Sequence, residues 1–156
     1  MKTRSAILLG CGAVLVIAIA SGLAGGGFIY FVFQDPVGLQ VYVESPDQVA
    51  KNDLFDLTVK VVNERKGKSL KVTSIDLAEA YLAGFTVRST EPAAKSSQRL
   101  PLDGGQSFVF DQILPAGATN SFVFHLRAAR TGLHRGDVDV CEGLRFLTAM
   151  AQTEVK

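Results

Sequence analysis

Between Arg4 and Asp35 no charged side chain occurs, and residues 6–33 form one apolar run, ILLGCGAVLVIAIASGLAGGGFIYFVF after Ala6. At about 1.5 Å rise per residue its 28 residues make a helix of roughly 42 Å, more than the ~20 residues that cross ~30 Å of hydrocarbon. The pattern predicts a single transmembrane helix over 6–33. Past it, polar and apolar positions alternate with a period of two. Leu39, Val41 and Val43 alternate with Gln40, Tyr42 and Glu44, and Phe55, Leu57, Val59 and Val61 share one face opposite Asp56, Thr58 and Lys60. Further strands are predicted at 70–77, 85–90, 106–113, 120–128, 136–141 and 144–155. They are separated by turn signals such as Glu64-Arg65-Lys66-Gly67-Lys68 and Pro115-Ala116-Gly117.

Residues 78–82 alone carry helical propensity in this part, and Gly84 ends it after little more than a turn. Residues 91–105, with Pro92, Pro101 and Gly104-Gly105, are predicted to be a mobile loop, and 129–135 a turn region. Ser-Phe-Val-Phe occurs twice, so Phe108, Phe110, Phe122 and Phe124 are expected to feed one core from two strands. About eight short strands with almost no helix predict an all-β sandwich or barrel, antiparallel throughout because no crossover helices are present. The predicted organisation is a cytoplasmic N-terminus at 1–5, the membrane helix at 6–33, a connector at 34–38 whose Asp-Pro step stops the helix, and one domain at 39–156.

Lys2 and Arg4 precede the apolar run and Asp35 is the first charge after it, so the positive-inside bias keeps the N-terminus cytoplasmic and exports the domain. Tyr30 is placed for the far interface. Ala18-Ile19-Ala20 offers a signal-cleavage alternative, but the apolar segment continues for 13 residues past Ala20, which favours a retained signal anchor. Leu8-Leu9-Gly10-Cys11 resembles a lipobox but lacks a full apolar stretch before Cys11 and a polar tether after it. Ala18, Gly22 and Gly26 recur every four residues, a small-residue face through which a second helix could approach and form a homodimer contact.

Residues 39–92, with Phe55-x-Leu57-x-Val59-x-Val61-x-Asn63 followed by Val72-Thr73-Ser74-Ile75-Asp76, resemble bacterial extracytoplasmic immunoglobulin-like domains of the cell-adhesion-related (CARDB-like) kind. So does Leu114-Pro115-Ala116-Gly117 leading into Phe122-x-Phe124. The resemblance implies an immunoglobulin-like antiparallel β-sandwich of about seven or eight strands and a binding or presenting role. It brings no catalytic residue. The antibody hallmark is missing, since the chain has no Trp and only Cys141 lies in the domain.

Charge narrows the partners. Past residue 34 the chain keeps 14 of its 16 Lys and Arg and all 15 Asp and Glu, a net of −1, so no global field attracts nucleic acid. Arg65, Lys66, Lys68 and Lys71 are the densest basic group, expected to be a solvated turn. Cys141, Met150, His125 and His134 are the residue types of a blue-copper site. The spacing opposes it, because no histidine lies between Cys141 and Met150; Met150 is expected in the core and Cys141 as a partly buried thiol. Asp137, Asp139 and Glu142, with Asp103 and Asp111, are the carboxylates a hard cation would need, but opposing charges such as Arg127 and Arg130 account for them. No G-x-S-x-G, G-x-G-x-x-G, P-loop, HExxH or CxxC motif occurs. The expectation is a non-enzymatic protein of the cell membrane, without cofactor or metal, whose exported domain binds another protein or a cell-surface polymer in the manner of an adhesion module. An accessory subunit of a membrane complex, or an envelope ligand- or metal-binding protein, is the alternative.

Overall fold

The computed structural model describes residues 34–102 and 104–156. They form β1 (Leu39–Glu44), β2 (Gln48–Val49), β3 (Leu54–Asn63), β4 (Leu70–Leu77), α1 (Glu79–Leu82), β5 (Phe85–Glu91), β6 (Ser96–Arg99), β7 (Gln106–Leu114), β8 (Thr119–Ala128), β9 (Gly132–Glu142) and β10 (Arg145–Val155). The predicted membrane helix, its Ala18, Gly22 and Gly26 face and the cleavage motif lie outside the described residues. Among those residues no helix is long and apolar enough to cross a membrane.

Two sheets result, one in the order β1-β3-β8-β5 and one in the order β2-β10-β9-β4-β7-β6. Phe110 of β7 lies 4.7 Å from Phe122 and 6.1 Å from Phe124 of β8, and Phe108 lies 5.1 Å from Phe124. These ring contacts join one sheet to the other, so the sheets stack face to face as a β-sandwich with the four phenylalanines in its core. Phe122 and Phe124 are fully buried, as are Leu57, Val59 and Val61 from the alternating face of β3. Burying each such side chain contributes roughly 1.5–3 kcal/mol, and the period of two delivers them all to one side.

Four expectations are corrected. Among the described residues the strands number ten, not seven or eight, because β2 and β6 are short and carry no alternation. Pairing is not antiparallel throughout: Gln48 and Val49 of β2 lie parallel to Glu154 and Val155 of β10. The predicted loop at 91–105 contains β6, held to β7 by the register Ser96↔Val109 to Arg99↔Gln106. Most of the predicted turn at 129–135 is the start of β9, paired to the end of β10 through backbone groups even though Leu133 is exposed.

The sandwich has two distinct poles. At one, the chain enters: the Glu64 N–H donates to the Gly38 carbonyl at 2.8 Å, and the Gly117 N–H to the Asn63 carbonyl at 2.8 Å. Asn63 is fully buried there, its Nδ2 donating to the carbonyls of Lys68 (2.9 Å), Leu114 (3.0 Å) and Pro115 (3.0 Å), while its Oδ1 accepts the Arg65 N–H at 3.1 Å. One side chain thus ties the last residue of β3 to the other sheet. At the opposite pole sits α1, which lies against β9 at Gly136, where a Cβ would meet the Tyr81 backbone nitrogen at 2.9 Å. Tyr81 points inward, with its ring 4.8 Å from Phe85 and its hydroxyl 3.2 Å from that of Thr153.

Candidate functional site

Because the two sheets end at β5 and β6 on the same side of the sandwich, that side has two strand edges with no strand neighbour among the described residues. A strand edge presents unpaired N–H and C=O groups, the usual template for adding a further strand. Between the edges lies a groove of about 680 Å³, floored by Leu82, Phe85, Val87 and Gln106 and reaching Arg99 and Arg130. It continues into a second hollow of about 470 Å³ toward Thr90, Ala94 and Phe108. The groove lies at the α1 pole, opposite the end where the chain enters β1.

Its shape follows from local irregularities. In β5, Val87 pairs with Leu126 and Ser89 with His125, so Arg88 is an extra, bulged residue. Bulges re-aim a side chain and interrupt pairing. Arg88 accordingly borders the second hollow, into which the groove continues, and a third hollow of about 430 Å³ on the outer face of the smaller sheet. In β7, one strand in from the facing edge, Asp111 has φ 51° and sits in a bulge that sets Phe110 and Asp111 against Thr73. Its carboxylate lies 2.8 Å from Lys71 and 3.5 Å from Lys95, which precedes β6, and these bonds fasten the outer strands of the larger sheet.

Electrostatically the groove leans positive. Arg99 pairs with Glu79 at 2.7 Å, whereas Arg88 and Arg130 are exposed and have no ion-pair partner among the described residues. The third hollow holds His125, whose Nδ1 donates to Asp56 at 2.7 Å while Nε2 stands 4.0 Å from Glu91. Elsewhere, the Lys71 ammonium holds the Asp111 carboxyl below its usual range, burial pushes the Tyr81 hydroxyl up, and the hydrogen bond to Glu142 raises Arg65 further.

The residues singled out from sequence are scattered. His125 does face away from Phe124 and Leu126, which are buried. His134 is not in a polar turn but in β9, edge-on to Phe85 at 5.2 Å, with Nε2 donating to the Arg130 carbonyl at 2.9 Å. Cys141 is fully buried, its sulfur 3.8 Å from Asp76 Oδ2. Met150 is not in the core: it is 46% exposed, and its sulfur contacts Arg135 Nε. The even positions of β10 face outward here, which parity alone could not decide. Asp137 and Asp139 lie in β9 of the larger sheet and Arg127 in β8 of the smaller, so the expected opposition of charges does not form. Asp139 instead accepts from Thr148 at 2.5 Å and Arg127 reaches Asn52. Asp103 lies outside the described residues. Among those residues, no group of three or more His, Cys, Asp or Glu is placed to hold a metal ion.

The basic group of the β3–β4 turn is also not uniformly solvated. Arg65 is bound to Glu142 and Lys71 to Asp111, which leaves Lys66 and Lys68 exposed. Sequence reasoning missed Val87, Arg99 and Arg130 as neighbours of one groove, and Arg88 as a neighbour of the hollow it continues into. No local signal marks them, since the groove arises only when β5 and β6 are brought to the same side.

No protein-family model matches the chain, and no curated protein matches it. Among solved structures it is similar to the CARDB domain of a Pyrococcus furiosus protein in complex with di-metal ions, at 16% identity over 76% of this chain and 87% of that one, with a TM-score of 0.43. It is similar to a cohesin module from a family 33 glycoside hydrolase of Clostridium perfringens, at 9% identity over 78% and 100% of the two chains, TM-score 0.49. A conjugative transposon lipoprotein from Bacteroides eggerthii is similar at 10% identity over 76% and 98%, TM-score 0.43.

Proposed function

We propose that this is a single-pass, N-in protein of the cell membrane that presents an immunoglobulin-like β-sandwich on the extracytoplasmic side, where it binds another protein or a surface polymer without catalysis or cofactor. The supporting observation is the groove bounded by the two free edges of β5 and β6. An uncharged run of 28 residues supports the anchor. Arg65 supports a close and fixed link to it, because its Nε donates to the Val37 carbonyl at 2.8 Å and so ties the connector to the domain. Since Gly38 lies at one pole and the groove at the other, an anchor preceding the domain would leave the groove facing away from the bilayer. Nucleic acid is not a partner in this reading, since the exported part is close to neutral.

The test is photo-crosslinking of the full-length protein in its own membrane, with the reactive side chain placed in turn at Val87 in the groove, Tyr42 on the β1 edge and Gly22 in the apolar run. An adduct from position 87 supports the groove. An adduct from position 22 alone transfers recognition to the membrane segment and makes the protein an accessory subunit of a membrane complex.

A further inference from the structure

We infer that the groove takes an extended, acidic segment of a partner protein, added as a strand along β5; this rests on the groove being the partner site. The backbone side of β5 that faces the groove has no strand neighbour among the described residues, so an extended segment would complete its hydrogen bonds. The floor beneath it, Leu82 and Val87, suits the inward side chains of such a strand.

The charge pattern selects its chemistry. Arg130 lines the groove at one end of the stretch, where its backbone N–H bonds the Gly84 carbonyl at 3.2 Å, and Arg88 lines the second hollow at the other end, on the bulge. Four residue steps lead from Gly84 to Arg88, about 13 Å at ~3.3 Å per step. Two carboxylates four residues apart on the incoming strand would therefore meet the two guanidiniums, each offering a planar fork that matches a carboxylate. Among the described residues Glu79 is the carboxylate that lines the groove, and it is paired with Arg99; Asp56, which shares the third hollow with Arg88, is bonded to His125, so each opposes an acidic strand less than a bare carboxylate would. The Arg88 bulge also interrupts the ladder of β5, which limits the added strand to the short stretch the two cations bracket.

The test is selection of a randomised twelve-residue peptide library against the full-length chain kept in detergent, followed by affinity measurement on an enriched peptide. Enriched sequences are expected to carry Asp or Glu four residues apart, with apolar residues between them. The enriched peptide should bind at least tenfold more weakly to the Arg88→Glu, Arg130→Glu double variant, and at least tenfold more weakly again when a proline replaces the residue facing Val87. Both substituted side chains are exposed, and an unchanged melting temperature verifies the fold of the variant. No enrichment, enrichment without acidic residues, or affinity insensitive to both changes overturns the inference. If that happens while position 87 still crosslinks to the natural partner, the groove remains the site and only its acidic, extended occupant is lost; absence of both removes the groove reading as well.

Discussion

Arg65 and Glu142 meet fork to fork, Nη1 to Oε1 at 2.6 Å and Nη2 to Oε2 at 2.5 Å, and each side chain is less than a fifth exposed at 17% and 18%. Arg145 adds a second cation 3.0 Å from the same carboxylate. The pair joins the β3–β4 turn to the β9–β10 hairpin, and through Val37 it also holds the connector.

Charge-assisted bidentate bonds are roughly twice as strong as neutral ones, while solvent access at this level reduces what they contribute. Arg65→Lys keeps the charge but loses the fork and the Nε bond. It should cost about 1–2 kcal/mol, and Glu142→Gln a similar amount. The check is a double-mutant cycle in urea melts, where a coupling energy of about 1 kcal/mol is expected and a value near zero would make the pair decorative.

Asn63 offers a sharper contrast. Asn63→Ala strands three carbonyls and the Arg65 N–H at a buried position, and about 2–4 kcal/mol of stability should be lost. Asn63→Asp has nearly the same shape but places a carboxylate against carbonyl oxygens, so it should be no better than alanine. Thermal melts decide the matter. If aspartate restores the melting temperature, the Nδ2 bonds do not matter.

That residue also marks how far the sequence reached. The alternation from Phe55 to Val61 located β3 within its observed bounds, and the twin Ser-Phe-Val-Phe segments located the core, because burial on one face leaves a period of two in the chain. Asn63 was visible as the end of a strand, but its three carbonyl partners come from residues 5, 51 and 52 positions away, and only the assembled sheets bring the last two near. Ser96–Arg99 carried no signal because an edge strand needs only backbone pairing. Met150 was misplaced for a different reason: two apolar parities compete in β10, and Ala151, Thr153 and Val155, not Met150, are the inward set.

Tyr81 gives a prediction at alkaline pH. Burial is the main reason that its hydroxyl titrates above the ordinary tyrosine value, and the bonds to Thr153 and Ser45 oppose the shift. The folded pKa is raised, so the associated stability is fully present below about pH 10 and is lost as pH rises through the folded value. Tyr81→Phe should cost about 1 kcal/mol at neutral pH by leaving Thr153 without its partner, and should flatten the loss of stability above pH 10. Equal pH slopes for the two proteins would assign the alkaline transition to other groups.

Asp111 carries the corresponding argument at acid pH. The hydrogen bond from Lys71 is the main cause of its lowered value, with Lys95 adding attraction. A depressed carboxyl contributes stability that is present above its ordinary value of about 3.9 and disappears as pH falls through the lower folded value. Asp111→Asn keeps a residue that tolerates the left-handed backbone, since φ here is 51°, and removes only the charge. It should therefore lower stability slightly at neutral pH and weaken the acid dependence below pH 4. Asp111→Ala should be worse at every pH, because it also meets the backbone penalty. Melts of the three proteins across pH 2–6 separate the two effects: a gap between alanine and asparagine that is constant with pH belongs to the backbone. The part of the loss in asparagine that vanishes on acidification belongs to the pairing of Asp111 with Lys71 and Lys95, which ties β7 to β4 and to the residue that precedes β6.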